Sequence, residues 1–312
     1  MEFFTLHQLL PQTDGFYFHP LMTDDSEGAL VICNPMEAFC RAPTVLHSRK
    51  TLEEHIHLIQ SRKLTKALVV AEDIGFLRQC PSLEAVWVVP SSTKRTFDFS
   101  PLYDLPNLRW LHCETVFGPK DSCWAEVDYS RLSNLETLQA VGPRGHKNIR
   151  MLKAVKSLSL AEGLPAGDSL EDVLPYGSLE ELTICQAPIR SLSGLHHGVG
   201  LKRLDLTCNR RLEDISQLSA VASSLQSLSV DTCGRIQDFS VLSCLEKLDT
   251  LVLQGSNALP NLDFLKSMPN LQSFVCKMNV LDGDLSLCLS IPSVSIQSRK
   301  HYNYKNRDFS KK

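Results

Sequence analysis

Two histidine pairs are the first residues that invite chemistry. His55-Ile56-His57 and His196-His197 each set two imidazoles close together in the chain. A closed zinc site takes four ligands, often delivered as Cys-x-x-Cys pairs, and that spacing occurs nowhere here. On a helix, residues two apart face different directions, so His55 and His57 read as surface or cap residues. Neither pair is assigned a metal. Gly142-Pro143-Arg144-Gly145-His146-Lys147-Asn148 has glycines and a lysine. It lacks the four-residue spacer and the Gly-Lys-Ser/Thr ending that cradle phosphates, and reads as a surface turn. Neither a Gly-x-Ser-x-Gly elbow nor a Gly-x-Gly-x-x-Gly fingerprint is present. With no nucleophile beside a base, no metal set and no cofactor loop, the expectation is a protein that is not an enzyme and uses no cofactor.

The eleven cysteines run from Cys33 to Cys288 without the tight spacing of a secreted disulfide framework. They read as reduced thiols, and the expected location is cytoplasmic. Cys113, Cys208, Cys233 and Cys276 fall on or beside positions where a small apolar residue packs, where thiols are inert. Cys185 is expected to point outward and to be accessible.

The chain has 312 residues, 21% of them charged and 43% hydrophobic, with a net charge of −3. That balance argues against a disordered chain, a strongly basic nucleic-acid binder and a membrane protein. No apolar run approaches the roughly 18–20 residues that span a bilayer. Met1-Glu2-Phe3-Phe4-Thr5 has no basic start followed by an unbroken apolar run, so no secretory signal is expected.

What organises the chain is its 49 leucines. The spacing Leu-x-x-Leu-x-Leu, with other apolar residues allowed, is clearest at Leu179/Leu182/Ile184, Leu201/Leu204/Leu206, Leu225/Leu228/Val230, Leu248/Leu251/Leu253 and Leu271/Phe274/Cys276. Successive copies start 22, 24, 23 and 23 residues apart. Looser copies precede them at Leu64/Ala67/Val69, Leu83/Val86/Val88, Leu108/Leu111/Cys113, Leu135/Leu138/Ala140 and Val155/Leu158/Leu160. Within each copy the apolar residues alternate, as a strand with one buried face requires. One such coil cannot bury its apolar side alone; stacked coils share a core and a continuous parallel sheet.

These segments resemble leucine-rich repeats, and their short period is most similar to bacterial internalin-like repeats. The family consensus places Asn or Cys three residues after the last leucine. Asn209, Cys233 and Asn279 stand there, while Ala187 and Ser256 interrupt the series. The resemblance implies a bacterial α/β repeat solenoid: a right-handed horseshoe with a parallel concave β-sheet and short helices or 3-10 turns on its convex side. Residues 1–63 are expected to form an N-terminal cap, 64–296 about ten repeats and a closing strand, and 297–312 a basic tail. In the cap, Phe16, Tyr17 and Phe18 cluster, and Thr51-x-x-Glu54 fits a capping box opening a helix with Leu52, Ile56 and Ile59 on its apolar side. On the convex side, Ile215, Leu218 and Val221 form one stripe, and Phe239, Leu242 and Leu245 another. Asp214 or Ser216 is placed to cap the first of them.

The residues between the inward leucines form the exposed strand face. Its charges are three basic and four acidic, which makes no phosphate-tracking stripe. Leu68, Val70, Trp87, Val89, Trp110, His112 and Glu114 gather on adjacent strands. Two arrangements satisfy that patch: an open interface anchored by the tryptophans, or a surface covered by the N-terminal cap. Arg203, Asp205 and Asp231 make a second, polar patch. The leading expectation is a protein-binding scaffold for an unidentified protein partner, with an inhibitor or immunity-type role as its finer version. The alternative is a nucleic-acid-associated protein using the tail, where six basic residues interleave with Tyr302, Tyr304 and Phe309. The same tyrosines can instead fold back over the last coil.

Overall fold

The computed structural model describes residues 29–33, 51–90, 96–117, 123–164, 169–175 and 179–309. Phe16, Tyr17 and Phe18 lie outside them. The chain divides into two compact units, Met1–Val155 and Lys156–Lys312. No helix among the described residues is long and apolar enough to cross a membrane.

In the first unit, β1 (Ala29–Cys33), β2 (Lys66–Ala71), β3 (Ala85–Pro90), β4 (Trp110–Glu114) and β5 (Thr137–Val141) pair in parallel in that order. β1 lies in the region expected to cap the repeats and extends their ladder, with Ala29 opposite Lys66. Helix α1 (Leu52–Arg62) begins as the sequence predicts: Thr51 accepts from the Glu54 amide, and Glu54 answers onto the Thr51 amide. Its buried face differs. His55 and Ile59 turn inward while Leu52 is 41% exposed.

In the second unit, β6 (Ser157–Ala161), β7 (Glu181–Cys185), β8 (Arg203–Thr207), β9 (Ser227–Asp231), β10 (Thr250–Gln254), β11 (Ser273–Cys276) and β12 (Ser293–Ile296) form one parallel ladder. Equivalent leucines stand in register across it: Leu158, Leu182, Leu204, Leu228 and Leu251 are neighbours, and all are buried. Each coil therefore completes its neighbour's core, which is the leucine-rich-repeat solenoid fold.

Two local devices make the coil. The residue just after each of β6 to β9 (Glu162, Gln186, Cys208, Thr232) adopts a left-handed backbone with φ between 54° and 63°. That conformation is costly for residues other than glycine. Here each one turns its amide onto the next coil, as Gln186 does to the Thr207 carbonyl at 3.0 Å and Cys208 to Asp231 at 2.9 Å. Behind the sheet α1 makes the return between β1 and β2, and most of the described returns after it are built on 3-10 turns. Asp214 and Asp238 cap these turns by accepting the amides of Ser216 and Ser240, both at 2.8 Å. Ile215, Leu218, Val221, Phe239, Leu242 and Leu245 are buried beneath them, as their spacing predicts.

Asn209 is fully buried: it accepts the Ala187 amide at 2.9 Å and donates to the Ile184 carbonyl at 2.8 Å. Cys233 turns its thiol toward the Leu206 carbonyl at 3.4 Å. Two expected rungs shift. After β10 the inward residue is Asn257 and not Ser256, because Gly255 at φ 137° lets the chain run one residue further before turning in. After β11, Met278 is fully buried and Asn279 only half-buried.

The C-terminal tail is built into the fold. Tyr302 and Phe309 are buried, and the Tyr302 hydroxyl accepts the Val280 amide at 2.8 Å. Asn306 pairs with both backbone groups of Ile296, so the end of the last strand meets a side-chain amide. Two of the three aromatic rings expected to stack on bases, Tyr302 and Phe309, are thus core residues, while Tyr304 is half-buried and Lys300, Lys305 and Arg307 are exposed.

Candidate protein-docking face

The outward strand positions change along the ladder: they are largely buried in the first unit and still so at Ser157, Ser159 and Ala161 of β6, and they open from β8 onward. In the first, Leu68, Trp87, Val89, Trp110 and His112 are only 2, 3, 2, 1 and 5% exposed. Strand register explains their mutual packing: Leu68 stands opposite Trp87, Trp87 opposite His112, and His112 opposite Gln139. The Trp87 and His112 rings lie 4.5 Å apart, and His112 Nδ1 meets Gln139 Oε1 at 3.0 Å. Large rings in register on neighbouring strands exclude water between them. These five side chains are buried where an open interface would need them exposed. Glu114 is half-buried, 3.6 Å from His112 Nε2. The Val70 side chain lies outside the described residues.

In the second unit the same alternation opens to solvent. From β8 to β10 the pattern is an inward leucine or valine flanked by half-exposed residues, with Arg203 exposed. One cross-strand row reads Asp205, Ser229, Val252, Val275 and Ser295, and the next Thr207, Asp231 and Gln254. Most of these side chains are short, so a partner's backbone can approach the strands closely.

Charge concentrates at one end of this floor. Arg203 is engaged with Glu181 at 2.7 Å, and Glu181 in turn accepts the Ser157 hydroxyl at 3.2 Å. Asp205 has no such cation among the described residues. Its carboxylate takes the Thr207 hydroxyl at 2.5 Å, while Asp231 takes that of Thr232 at 2.8 Å. Burial pushes the Asp205 carboxyl above its ordinary range; the Thr207 bond opposes this, and repulsion from Asp231 adds to it. An under-solvated carboxylate beside a second acid favours an incoming cation.

Cys185, expected to be accessible, is buried. Its thiol is pushed up to about 12, mainly by burial, and is unreactive at neutral pH. Cys208 is half-buried and Cys244 exposed; the nine cysteines from Cys80 to Cys288 are free. The Gly142–Asn148 turn lies at the surface as expected, with Pro143, Arg144, Lys147 and Asn148 exposed, but His146 within it is buried against Tyr129 and Thr115. Nothing in the spacing of that turn distinguishes an inward from an outward histidine. The Val252 and Val275 row, by contrast, follows from strict alternation once the strands are placed.

No protein-family model matches the chain, and no curated protein matches it. Among solved structures, the internalin InlF of Listeria monocytogenes is similar at 17% identity and a TM-score of 0.47, over 80% of this chain and 77% of that one. The internalin C2 of the same organism is similar at 20% identity and a TM-score of 0.43, over 60% and 84%. The fold assignment rests on the coil geometry itself.

Proposed function

We propose that the protein is a non-enzymatic scaffold that docks a partner protein on the outward sheet face of its second unit. The observation that carries this reading is the open in-register floor from Asp205 to Ser295, with an ionisable acid pair at one end. A solenoid sheet offers an extended surface of this kind. The partner's contact segment carries a basic side chain that meets Asp205 and Asp231, and apolar atoms that rest on Val252 and Val275. The inhibitor or immunity-type version uses the same face to block a partner enzyme. A bacterial, cytoplasmic setting belongs to the proposal too, the free thiols being its support.

Site-directed photo-crosslinking tests this. A photoreactive residue at Ser229 is expected to capture a discrete partner, and the same residue at Ala220, on the opposite side of the coil, is not. The Asp205→Lys, Asp231→Lys variant is expected to lose the Ser229 adduct while still unfolding cooperatively. Equal capture from both positions, or an adduct indifferent to the charge reversal, overturns the proposal.

A further inference from the structure

Away from the sheet face, stacking joins two histidines to a distant carboxylate. His196 and His197 belong to the 3-10 turn Leu195–His197, and Glu171 lies in the preceding coil, 25 residues before His196. One ligand atom from each of the three lies within 4.8 Å of the others. His197 Nε2 sits 3.1 Å from Glu171 Oε2, and the imidazole rings of His196 and His197 lie 4.0 Å apart, tilted by 46°.

The surroundings hold this grouping in place. The Leu170 amide donates to the Ser193 carbonyl at 3.0 Å, tying the two segments together. The Ser193 hydroxyl donates to Glu171 Oε1 at 3.2 Å, orienting the carboxylate and leaving Oε2 toward His197. Gly194, at φ 98°, permits the approach: a Cβ there would stand 2.4 Å from the Glu171 backbone nitrogen. A fixed backbone and a hydroxyl that orients the carboxylate ligand are what a metal site needs from its outer layer.

We propose that Glu171, His196 and His197 form a divalent transition-metal site of the zinc class that clamps two adjacent coils. With bonds of about 2.0–2.1 Å, two ligands on one tetrahedral zinc lie about 3.3 Å apart. The Glu171–His197 pair is already at 3.1 Å, so the remaining adjustment is a rotation of the exposed His196 ring. Two imidazole nitrogens and one carboxylate oxygen suit zinc better than calcium or magnesium, and leave the fourth position to water. The histidine pair alone was insufficient for a site. The third ligand comes from the neighbouring coil, where no local motif reveals it.

The test is calorimetric titration of the full chain, stripped with a chelator, with Zn²⁺. Saturable binding of one ion per chain is expected, weakened about tenfold or more by each of His196→Ala, His197→Ala and Glu171→Gln. His196 is exposed, so its loss leaves the fold intact, and Glu171→Gln keeps the shape and the Ser193 bond. Co²⁺ substitution is expected to give weak visible bands without intense thiolate charge transfer, and Zn²⁺ to raise the unfolding temperature of the wild type only. Absence of saturable binding, binding unchanged by all three substitutions, or a thiolate band overturns the site and leaves Glu171–His197 as a simple ion pair.

Discussion

Tyr129 and His146 meet inside the first unit, hydroxyl to Nδ1 at 2.7 Å, with both side chains buried. The other ring nitrogen faces the Val141 carbonyl at 3.2 Å and the Thr115 hydroxyl at 3.0 Å. Donation to the carbonyl makes Nδ1 the acceptor of the tyrosine proton. The neutral imidazole is therefore fully used, and a second ring proton would have to displace the tyrosine proton from Nδ1 in a buried site.

That arrangement makes stability depend on pH. Burial lowers the His146 pKa from 6.5 to about 4. Between those values the unfolded chain binds a proton that the folded chain refuses, so stability falls as pH falls through this window. The loss is about 3 kcal/mol once pH reaches the folded value. It shows as a drop in the urea midpoint between pH 7 and 4.5, and His146→Gln flattens the profile in that range. Asp128 and Glu180, whose carboxyls are held low by hydrogen bonds, respond at lower pH. A midpoint indifferent to pH above 4.5 contradicts the assignment.

Asn209→Ala is expected to cost about 2–4 kcal/mol. It strands the Ala187 amide and the Ile184 carbonyl, both in the coil interior, at about 1–3 kcal/mol for each buried unpaired group. Denaturant unfolding reads this as a lower midpoint with an unchanged slope. A change of only a few tenths of a kcal/mol would show that water reaches the turn.

Trp87→Ala and Trp110→Ala are each expected to lower stability by about 3–5 kcal/mol, the cost of removing a large buried ring. Thermal unfolding checks this. Variants that melt like the wild type but fail to capture a partner would return these rings to the surface role that their strand positions first suggested.

Asp205→Asn is expected to leave the unfolding midpoint unchanged or higher. A carboxyl whose pKa is raised on folding contributes stability at low pH and loses it as pH rises past the unfolded value. At neutral pH the ionised group is therefore a burden, and the amide still accepts the Thr207 hydroxyl. A marked fall in the midpoint at pH 7 contradicts that account.

How much of this was legible before the structure follows from range. Strand placement was, because Leu204 and Leu206 alternate within five residues and recur at a fixed period. The capping box at Thr51 and Glu54 was legible for the same local reason. The 3-10 turns have a local signature too, Asp-apolar-Ser-x-Leu, present at Asp98, Asp128, Asp214 and Asp238. What escaped depends on neighbours. Whether Trp87 faces water is decided by what packs on it, and His146 is placed by Tyr129, seventeen residues earlier. Glu171 reaches His197 only because one coil lies on the next. Gly255 displaced the expected Ser256 rung to Asn257 by a backbone freedom that the repeat consensus does not encode.

The most direct test of the docking face is the dissociation constant of the crosslinked partner, once purified, for the wild type and for the Asp205→Lys, Asp231→Lys variant. Loss of the acid pair is expected to weaken binding by about thirtyfold or more, equivalent to about 2 kcal/mol, with cooperative unfolding preserved. An unchanged constant would place the partner elsewhere on the coil surface and contradict the proposed role of this face.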